Sequence, residues 1–434
     1  MRPKITEVPA NAAAHGIAHG GRMHQFFADL GPGLITGAAD DDPSGISTYS
    51  VTGAAFGYAG LWTALFSFPL MAAVQLMCAH LGMVTGRGLA GVIRLRYPRW
   101  VLWSACALLL VANVFNIGAD LGGMADAMQL ITGVPAPYWT PLFALAIVGM
   151  LFLTSYRTMA RIFKWLTLVL FAYVIAAFLA RPDWMLVLRH TFIPHMEWSR
   201  SYLAVLVGIL GTTISPYLFF WQASQEVEEE RSQGRNTLRK RKGATDEELA
   251  KARTDVVAGM FFSNLVMYFI ILTTAATLHA NGITNIETAK QAAEALRPLA
   301  GDGAYLLFTL GLIGTGMLAV PVLAGSSAYA VAEAAAWGAS LDRRPHLARK
   351  FYSVLAVAVA VGLALDFAGF NAVKMLFASA VLNGVLAPPL IVLVVLLTSD
   401  PKIMGDRVNS PWMRRTGWIC AFVMSAAAIG MFVA

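Results

Sequence analysis

The feature that most constrains this chain is an acidic, helix-breaking cluster inside an apolar segment. Residues 31–45 read GPGLITGAADDDPSG, so that Asp40, Asp41 and Asp42 stand directly before Pro43. Proline interrupts helical hydrogen bonding, and carboxylates at membrane depth are costly and usually functional. Backbone that leaves the helix there has to be buried in protein or to line a wet cavity. The cluster therefore predicts an unwound, anionic place within a helix, which suits a cation.

The rest of the chain has the composition of a membrane protein. Of its 434 residues, 57% are hydrophobic and 13% are charged, whereas about 25% of the residues in a soluble domain are charged. Apolar stretches of about 20 residues are long enough to span a bilayer, and eleven such stretches predict an all-α, polytopic membrane protein. They lie near 30–57, 60–84, 100–122, 138–154, 162–180, 202–227, 255–279, 303–336, 350–367, 371–397 and 413–433.

The distribution of positive charge predicts the orientation. Most of the 32 lysines and arginines fall in segments that share one face if the N-terminus is cytoplasmic, as the positive-inside rule requires. An odd number of spans then places the C-terminus outside. We expect a multi-pass protein of the plasma (inner) membrane. The net charge of +7 needs no nucleic-acid partner.

The domain organisation follows from the same pattern. Residues 1–28 are polar and are expected to form a cytoplasmic tail, because they lack the apolar region of a cleavable signal peptide. Residues 29–434 are expected to form one transmembrane transporter domain. Within it, 228–253 is the one long charged stretch, and we predict a cytoplasmic loop there.

A second break is predicted in the sixth span. Thr212, Thr213 and Ser215 cluster directly before Pro216, five spans after the first break. Each break alone also fits a simpler origin, a proline kink or a surface turn. Two discontinuous helices at matching places mark the substrate site of an inverted-repeat transporter. Spans 1–5 and 6–10 would be the repeats, and their freed carbonyls, with Asp42, would offer oxygen ligands to a cation.

Span three carries polar residues on one helical face. Asn113, Asn116 and Asp120 follow one another at roughly helical spacing. Such residues line an aqueous path or hydrogen-bond between membrane helices, and both interpretations stay open.

These residues resemble the Nramp family of divalent metal transporters. Residues 31–33 match the family's GPG, and 42–45 (DPSG) lie in register with its DPGN. Residues 212–217 (TTISPY) lie in register with its sixth-helix motif, A-x-x-M followed by Pro-His, and 119–121 resemble its acidic segment in span three. The resemblance implies a LeuT-like inverted repeat with broken helices 1 and 6.

The resemblance also implies the site residues. The positions that would hold the metal are Asp42, Gly45, Thr212 (through its carbonyl) and Ser215. Secondary positions lining the site would be Asp41, Thr213, Tyr217 and Asn383. A proton or aqueous path would pass Asn116 and Asp120. Several positions depart from the family pattern: Gly45 replaces an Asn, Ser215 a Met and Tyr217 a His. Thr212 takes the place of an Ala or Cys, and Gly123 stands where a Glu would be expected.

The departures favour a hard cation. Thioether sulfur suits soft and borderline ions, whereas carboxylate, carbonyl and water suit Mg²⁺, Ca²⁺ and Mn²⁺. Mg²⁺ dehydrates reluctantly and keeps several waters beside one or two carboxylates. The chain is similar in this respect to the Nramp-related magnesium transporters. We therefore expect Mg²⁺ as the main substrate, with Mn²⁺ also carried. With titratable groups missing at Gly123 and Tyr217, we expect weak or no proton coupling.

Other functions remain open at this point. One is a proton-coupled Mn²⁺/Fe²⁺ transporter of the ordinary Nramp type. Another is a transporter of the same architecture for a small organic solute, since a fold does not set its function. A membrane-embedded enzyme or metal sensor is a third, although the spans show no catalytic constellation. We expect no enzymatic activity, no cofactor and no obligate protein partner, and the ion and the lipid bilayer as the only partners.

Overall fold

Long helices dominate the computed structural model, which describes residues 31–154, 168–338, 340–341 and 345–434. Among these residues there are helices and turns but no β-strand. The α-helices are α1 (Pro32–Asp40), α2 (Pro43–Phe56), α3 (Trp62–Thr85), α4 (Leu89–Arg96), α5 (Arg99–Thr132), α6 (Ala136–Leu153), α7 (Ala172–Leu179), α8 (Trp184–Phe192), α9 (Arg200–Thr213), α10 (Pro216–Ser232), α11 (Leu238–Arg241), α12 (Asp246–Thr277), α13 (Ala289–Glu294), α14 (Arg297–Ala300), α15 (Ala304–Ala334), α16 (Arg349–Asp366), α17 (Ala372–Thr398), α18 (Pro401–Met404) and α19 (Pro411–Val433).

Eight helical segments of the described chain are long and apolar enough to cross a membrane. They are Trp62–Thr85, Arg99–Thr132, Ala136–Leu153, Arg200–Ser232, Asp246–Asn281, Arg297–Ala334, Ala372–Thr398 and Pro411–Val433. The prediction of an all-α, polytopic membrane protein is confirmed.

Three of the eleven predicted spans fall outside this set for identifiable reasons. The first is divided between α1 and α2, which have only 9 and 14 residues. The fifth, 162–180, lies partly outside the described residues. The ninth corresponds to α16, whose 18 residues include Arg349, Lys350 and Asp366. The count of eleven stays a prediction.

The first break lies where the sequence predicts it. Helix α1 ends at Asp40, and α2 begins at Pro43. Proline is favoured at the first helical position because its missing N–H has no helical partner there. Asp42 takes an extended conformation and caps α2 by accepting a hydrogen bond from the Gly45 amide at 2.7 Å. The same side chain therefore ends the break and starts the next helix.

The second break also ends at a proline that begins the next helix, but without a side-chain cap. Helix α9 ends at Thr213, and α10 begins at Pro216 after the extended Ser215. The Thr213 hydroxyl donates to the Ile209 carbonyl at 2.8 Å, so it closes the last turn of its own helix. Both broken helices are thus confirmed at their predicted residues.

The two broken helices pack against each other, α2 on α9 and α1 on α10, with α5, α12 and α17 around them. Glycines allow the closest crossings. A Cβ at Gly37 would overlap the Gly259 carbonyl of α12, and one at Gly211 would overlap the Ala380 carbonyl of α17. These contacts hold both breaks at the centre of the bundle.

The start of α1 is fixed by a carboxylate from α12. Asp255 accepts hydrogen bonds from the amides of Gly31 (2.9 Å), Gly33 (2.6 Å) and Leu34 (3.2 Å). The first N–H groups of a helix have no partner within it, and a negative charge there is favourable. The GPG segment therefore has a structural explanation, because its amides converge on one buried acid.

Replacing Asp255 with alanine should loosen α1. The change leaves up to three amides without their acceptor, and we expect a loss of about 1–3 kcal/mol of stability. Hydrogen exchange of the amides in 31–36 should become faster, and thermal unfolding of the purified protein should occur at a lower temperature. Asp302→Ala is the matched control, because the Asp302 side chain is 96% exposed. Unchanged exchange at α1 would contradict the assignment.

Candidate metal-binding site

Asp42 presents a carboxylate between the two breaks. Its Oδ1 accepts from the Gly45 amide at 2.7 Å, and its Oδ2 accepts from Asn116 Nδ2 at 2.8 Å. A carboxylate has about four lone-pair sites, so each oxygen keeps the capacity for a further partner. The geometry leaves Asp42 able to ligate a cation while it caps α2.

Asn116 of α5 connects Asp42 to the other predicted polar residues. Its Nδ2 also donates to Asp120 Oδ2 at 3.1 Å, and its Oδ1 accepts from Asn383 Nδ2 at 3.3 Å. Asp120 Oδ1 and Asn383 Oδ1 are buried, with no hydrogen-bond partner among the described residues. Asp42, α5 and α17 thus contribute to one network, in which Asn116 links the Asp42 carboxylate to Asp120 and Asn383.

Gly45 is the point where the breaks touch. A Cβ on Gly45 would lie 2.9 Å from Thr212 Oγ1 and 3.4 Å from Asp42 Oδ1. Thr212 Oγ1 is itself buried, and no hydrogen-bond partner for it is found in the described chain. The missing side chain at Gly45 therefore brings the Thr212 hydroxyl to the same small volume as the carboxylate.

Ser215 adds a second hydroxyl beside the α9 carbonyls. Its Oγ lies 2.8 Å from the Gly211 carbonyl and 2.8 Å from the Thr212 carbonyl. A single hydroxyl proton serves one of them at a time, so the oxygen of Thr212 has a free lone pair in either arrangement. The Ser215 hydroxyl oxygen and the Thr212 carbonyl oxygen form an adjacent pair of hard ligand atoms.

Tyr217 joins the breaks from the other side. Its hydroxyl donates to the Ala39 carbonyl at 2.8 Å, and this carbonyl belongs to the last turn of α1, whose carbonyls lack helical partners. Tyr217 is fully buried. Tyr217, at the position where the resemblance implies a His, therefore satisfies a backbone acceptor of the first break.

Asp40 and Asp41 turn away from Asp42. The Ser263 hydroxyl of α12 lies 2.7 Å from Asp40 Oδ2 and 3.3 Å from Asp41 Oδ1. No group of three or more His, Cys, Asp or Glu side chains within the described ranges converges on a metal-sized space. The three successive acids therefore do not share one set of partners, and among the described residues Asp42 is the acid that contacts both Gly45 and Asn116.

Four carboxylates lie within this polar region, and all are at most 4% exposed: Asp40, Asp41, Asp42 and Asp120. No lysine, arginine or histidine of the described chain pairs with any of them. An uncompensated buried charge is strongly unfavourable. The region therefore favours positive charge, in the form of a cation or of protons.

The site is closed to both faces in this conformation. Asp42 is 2% exposed, and Thr212 and Ser215 are 1% exposed. An ion bound there would be separated from bulk water, and its release would require a change of conformation.

Sequence reasoning missed three of the polar residues around the breaks. Ser263 holds Asp40 and Asp41, as described above. The Thr36 hydroxyl lies 2.6 Å from Gln222 Oε1, and Gln222 Nε2 donates to Glu226 Oε1 at 2.8 Å. The available signal was the spacing of Gln222 and Glu226, which stand four residues apart and therefore on one helical face.

Asn113 lies outside the site. Its Nδ2 donates to the Leu323 carbonyl at 2.9 Å and lies 2.8 and 2.9 Å from the hydroxyls of Ser326 and Ser327. These partners all belong to α15, so Asn113 links two helices. Of the two interpretations left open for span three, helix linkage describes Asn113 and also the Asn116–Asn383 contact, and an aqueous path past Asn116 and Asp120 stays a prediction.

Comparison with known proteins places the chain in a family. The family model described as "Natural resistance-associated macrophage protein-like" (Nramp) matches residues 33–434. The divalent metal cation transporter MntH of Caldanaerobacter subterraneus subsp. tengcongensis is 27% identical over 409 residues, which are 93% of this chain and 92% of that protein.

Solved structures show the same fold. The Eremococcus coleocola manganese transporter, crystallised with an aromatic bis-isothiourea compound, superposes with a TM-score of 0.74 at 19% identity, over 96% of this chain and 88% of that one. A nucleobase-cation-symport-1 family transporter in a closed conformation gives a TM-score of 0.53 at 17% identity, over 92% of each chain. The LeuT-like fold is thereby confirmed. Since the family model covers nearly the whole sequence, the chain belongs to the Nramp family of divalent metal transporters.

Proposed function

We propose that this protein carries divalent cations, Mg²⁺ foremost and Mn²⁺ as well, across the membrane by alternating access. The observation that carries the proposal is the donor set between the two breaks. Asp42 supplies a carboxylate there, and Thr212 and Ser215 supply carbonyl and hydroxyl oxygen. The names of the relatives, a divalent metal cation transporter and a manganese transporter, support the substrate class.

The proposed preference for Mg²⁺ rests on the hardness of the ligand oxygens and on the water shell that the ion keeps. The positions proposed to hold the ion are Asp42, Gly45, Thr212 and Ser215, and none of them offers sulfur or nitrogen. Oxygen-only sites suit Mg²⁺, Ca²⁺ and Mn²⁺. With one carboxylate and a few neutral oxygens, the ion would keep part of its water shell, which Mg²⁺ requires more than Mn²⁺ does.

The proposal of weak proton coupling rests on the residues found where the resemblance implies titratable side chains. Tyr217 has its hydroxyl committed to the Ala39 carbonyl. Gly123 offers no side chain, and a Cβ there would lie 2.9 Å from Leu376. Asp120 remains beside Asn116. We propose that the ion moves down its electrochemical gradient with little or no proton movement.

A change of ligands at the breaks should shift selectivity. Ser215→Met together with Gly45→Asn would restore a thioether and an amide, and we expect the Mn²⁺/Mg²⁺ uptake ratio to rise about tenfold or more, since sulfur favours the softer ion. Asn at 45 would overlap Thr212 Oγ1, and overpacking typically costs about 1–3 kcal/mol. The variant should therefore also carry Thr212→Ala, which removes the hydroxyl and keeps the carbonyl. Thr212→Ala alone is the control, and an unchanged ratio in the triple variant would show that these positions do not determine selectivity.

Ion flux into proteoliposomes tests the proposal directly. The purified full-length protein is reconstituted with a Mg²⁺-sensitive dye inside, and the assay is repeated with Mn²⁺ and with a pH dye. We expect saturable Mg²⁺ entry without acidification. Mn²⁺ entry with acidification and no Mg²⁺ signal would instead establish a proton-coupled manganese transporter. Folded protein without any divalent flux would refute the proposal and direct attention to organic solutes.

A further inference from the structure

A polar cavity of about 230 Å³ lies on the side predicted to be cytoplasmic, apart from the metal-binding site. Its walls come from the loop after α3, from α4, α10 and α11, and from the end of α15. None of the residues proposed to hold the metal lines it. The cavity is several times larger than the roughly 30 Å³ that one water occupies.

Four arginines from separate segments line this cavity. They are Arg87, Arg94, Arg231 and Arg241. Two carboxylates, Glu228 and Glu333, also line it, so positive charge is in excess.

Both carboxylates already have partners. Glu228 Oε1 pairs with Arg231 Nη1 at 2.5 Å, and its Oε2 accepts from the Ser340 hydroxyl at 2.9 Å. Glu333 Oε2 accepts from the Gly91 amide at 2.9 Å, in the first turn of α4. The carboxylate oxygens keep further lone pairs, but four arginines line the cavity against these two carboxylates, so the charge balance of its lining is positive.

Arg87 and Arg94 are half-buried. Neither guanidinium forms an ion pair or hydrogen bond with any residue that the structure describes. Arg241 is 7% exposed; its Nη1 donates to the Arg235 carbonyl at 3.0 Å and its Nε to the Gly86 carbonyl at 3.5 Å. Burial lowers the pKa of the Arg241 guanidinium, the nearby charges of Arg231 and Arg87 also lower it, and those of Glu230 and Glu228 act against this shift. Like charges gathered in a cavity are unfavourable without an anion between them.

Glycine at position 88 allows the loop after α3 to approach α10 and α15 closely. A Cβ at Gly88 would overlap the Glu333 carboxylate and would lie 2.6 Å from Ser224 Oγ. The positive-inside rule explains arginines on this face, but it does not require four of them to converge on one cavity.

We propose that this cavity binds a phosphate-bearing anion. Guanidinium groups offer a planar fork of donors that matches phosphate oxygens, and such charge-assisted bonds are short and strong. Arg87 and Arg94 supply the uncommitted forks, and Arg241 supplies buried charge beside them. The phosphate belongs either to a soluble polyphosphate or to the headgroup of an anionic lipid.

Binding to the full-length protein in detergent tests the proposal. Inorganic pyrophosphate is titrated at constant ionic strength against chloride, with thermal unfolding as the readout. Native mass spectrometry after exposure to phosphatidylcholine vesicles with or without phosphatidic acid tests the lipid source. We expect saturable stabilisation by pyrophosphate or retention of phosphatidic acid, and either result supports the site and identifies the source.

Variants distinguish specific binding in the cavity from non-specific attraction to surface charge. Arg87→Gln with Arg94→Gln should weaken the apparent affinity about tenfold or more, because charge-assisted bonds are lost. Arg87→Lys with Arg94→Lys retains charge and should weaken it less. Arg239→Gln with Lys240→Gln is the control, because both side chains are exposed and lie outside the cavity. The proposal would be overturned if the protein bound neither pyrophosphate nor phosphatidic acid. Equal affinity in the glutamine variant and the control would overturn it as well.

Discussion

Asp42→Asn should lower Mg²⁺ and Mn²⁺ uptake by at least about 100-fold, while the protein stays folded. Losing even an indirect partner of a metal typically costs about 10–100-fold in affinity or activity, and Asp42 is proposed as a direct ligand. Asparagine is as good a helix cap as aspartate, so the bond from the Gly45 amide can persist. The change therefore removes the charge with little effect on the break.

The Asn116 network makes a sharper version of this test possible. In Asp42→Asn, the amide oxygen would keep the bond from the Gly45 amide. Its NH₂ group would then face the NH₂ group of Asn116, which now donates to the carboxylate. The double variant Asp42→Asn with Asn116→Asp restores a donor–acceptor pair at position 42 and the total charge, but moves the carboxylate to α5 and removes the amide that donates to Asp120. Asn116→Asp alone, which loses the same bond to Asp120 but keeps Asp42, is its control. If Asp42 is a direct ligand, the double variant stays inactive. Asp302→Asn, at an exposed position, should transport normally. Recovery in the double variant would show that charge in the region suffices.

The membrane potential should drive Mg²⁺ uptake without a pH gradient. Moving one charge across 100 mV is worth about 2.3 kcal/mol, so a divalent ion gains about 4.6 kcal/mol. This free energy corresponds to an accumulation of about 2,000-fold at equilibrium. Proteoliposomes with a potassium diffusion potential, inside negative, should concentrate Mg²⁺ strongly, and collapsing the potential should stop net entry.

The matching control applies a proton gradient without a membrane potential. An inwardly directed proton gradient at zero potential should drive no Mg²⁺ accumulation if coupling is absent, and an internal pH dye should stay unchanged during uptake. Strong accumulation under these conditions would contradict the proposal that coupling is weak. It would then point to Asp120 as the group to examine, because it remains at the family's acidic position beside Asn116.

The breaks could be predicted from the sequence because their causes are local. Pro43 and Pro216 each begin a helix at the first position, and the cap at Asp42 lies three residues from the amide that it accepts. Such short-range chemistry is visible in a string of residues. The family resemblance then aligned the two breaks, and the polytopic, LeuT-like fold followed from that alignment and from hydropathy.

The partners of these residues could not be predicted, because they come from distant helices. Ser263, which holds Asp40 and Asp41, stands more than 220 positions away along the chain. Asp255, which explains the GPG segment, is equally remote. The contact of Gly45 with Thr212 Oγ1 depends on how α2 and α9 cross. Hydropathy and spacing carry no information on such crossings.

Anomalous scattering from Mn²⁺ tests the central claim most directly, namely that the oxygens between the two breaks bind a divalent cation. Crystals of the protein are soaked in Mn²⁺, and an anomalous map is compared with that of Asp42→Asn. We predict one peak between the Asp42 carboxylate and the Thr212 carbonyl, which is absent in the variant. A peak only elsewhere, for example beside Asp40 and Ser263, or an equal peak in the variant, would contradict the account.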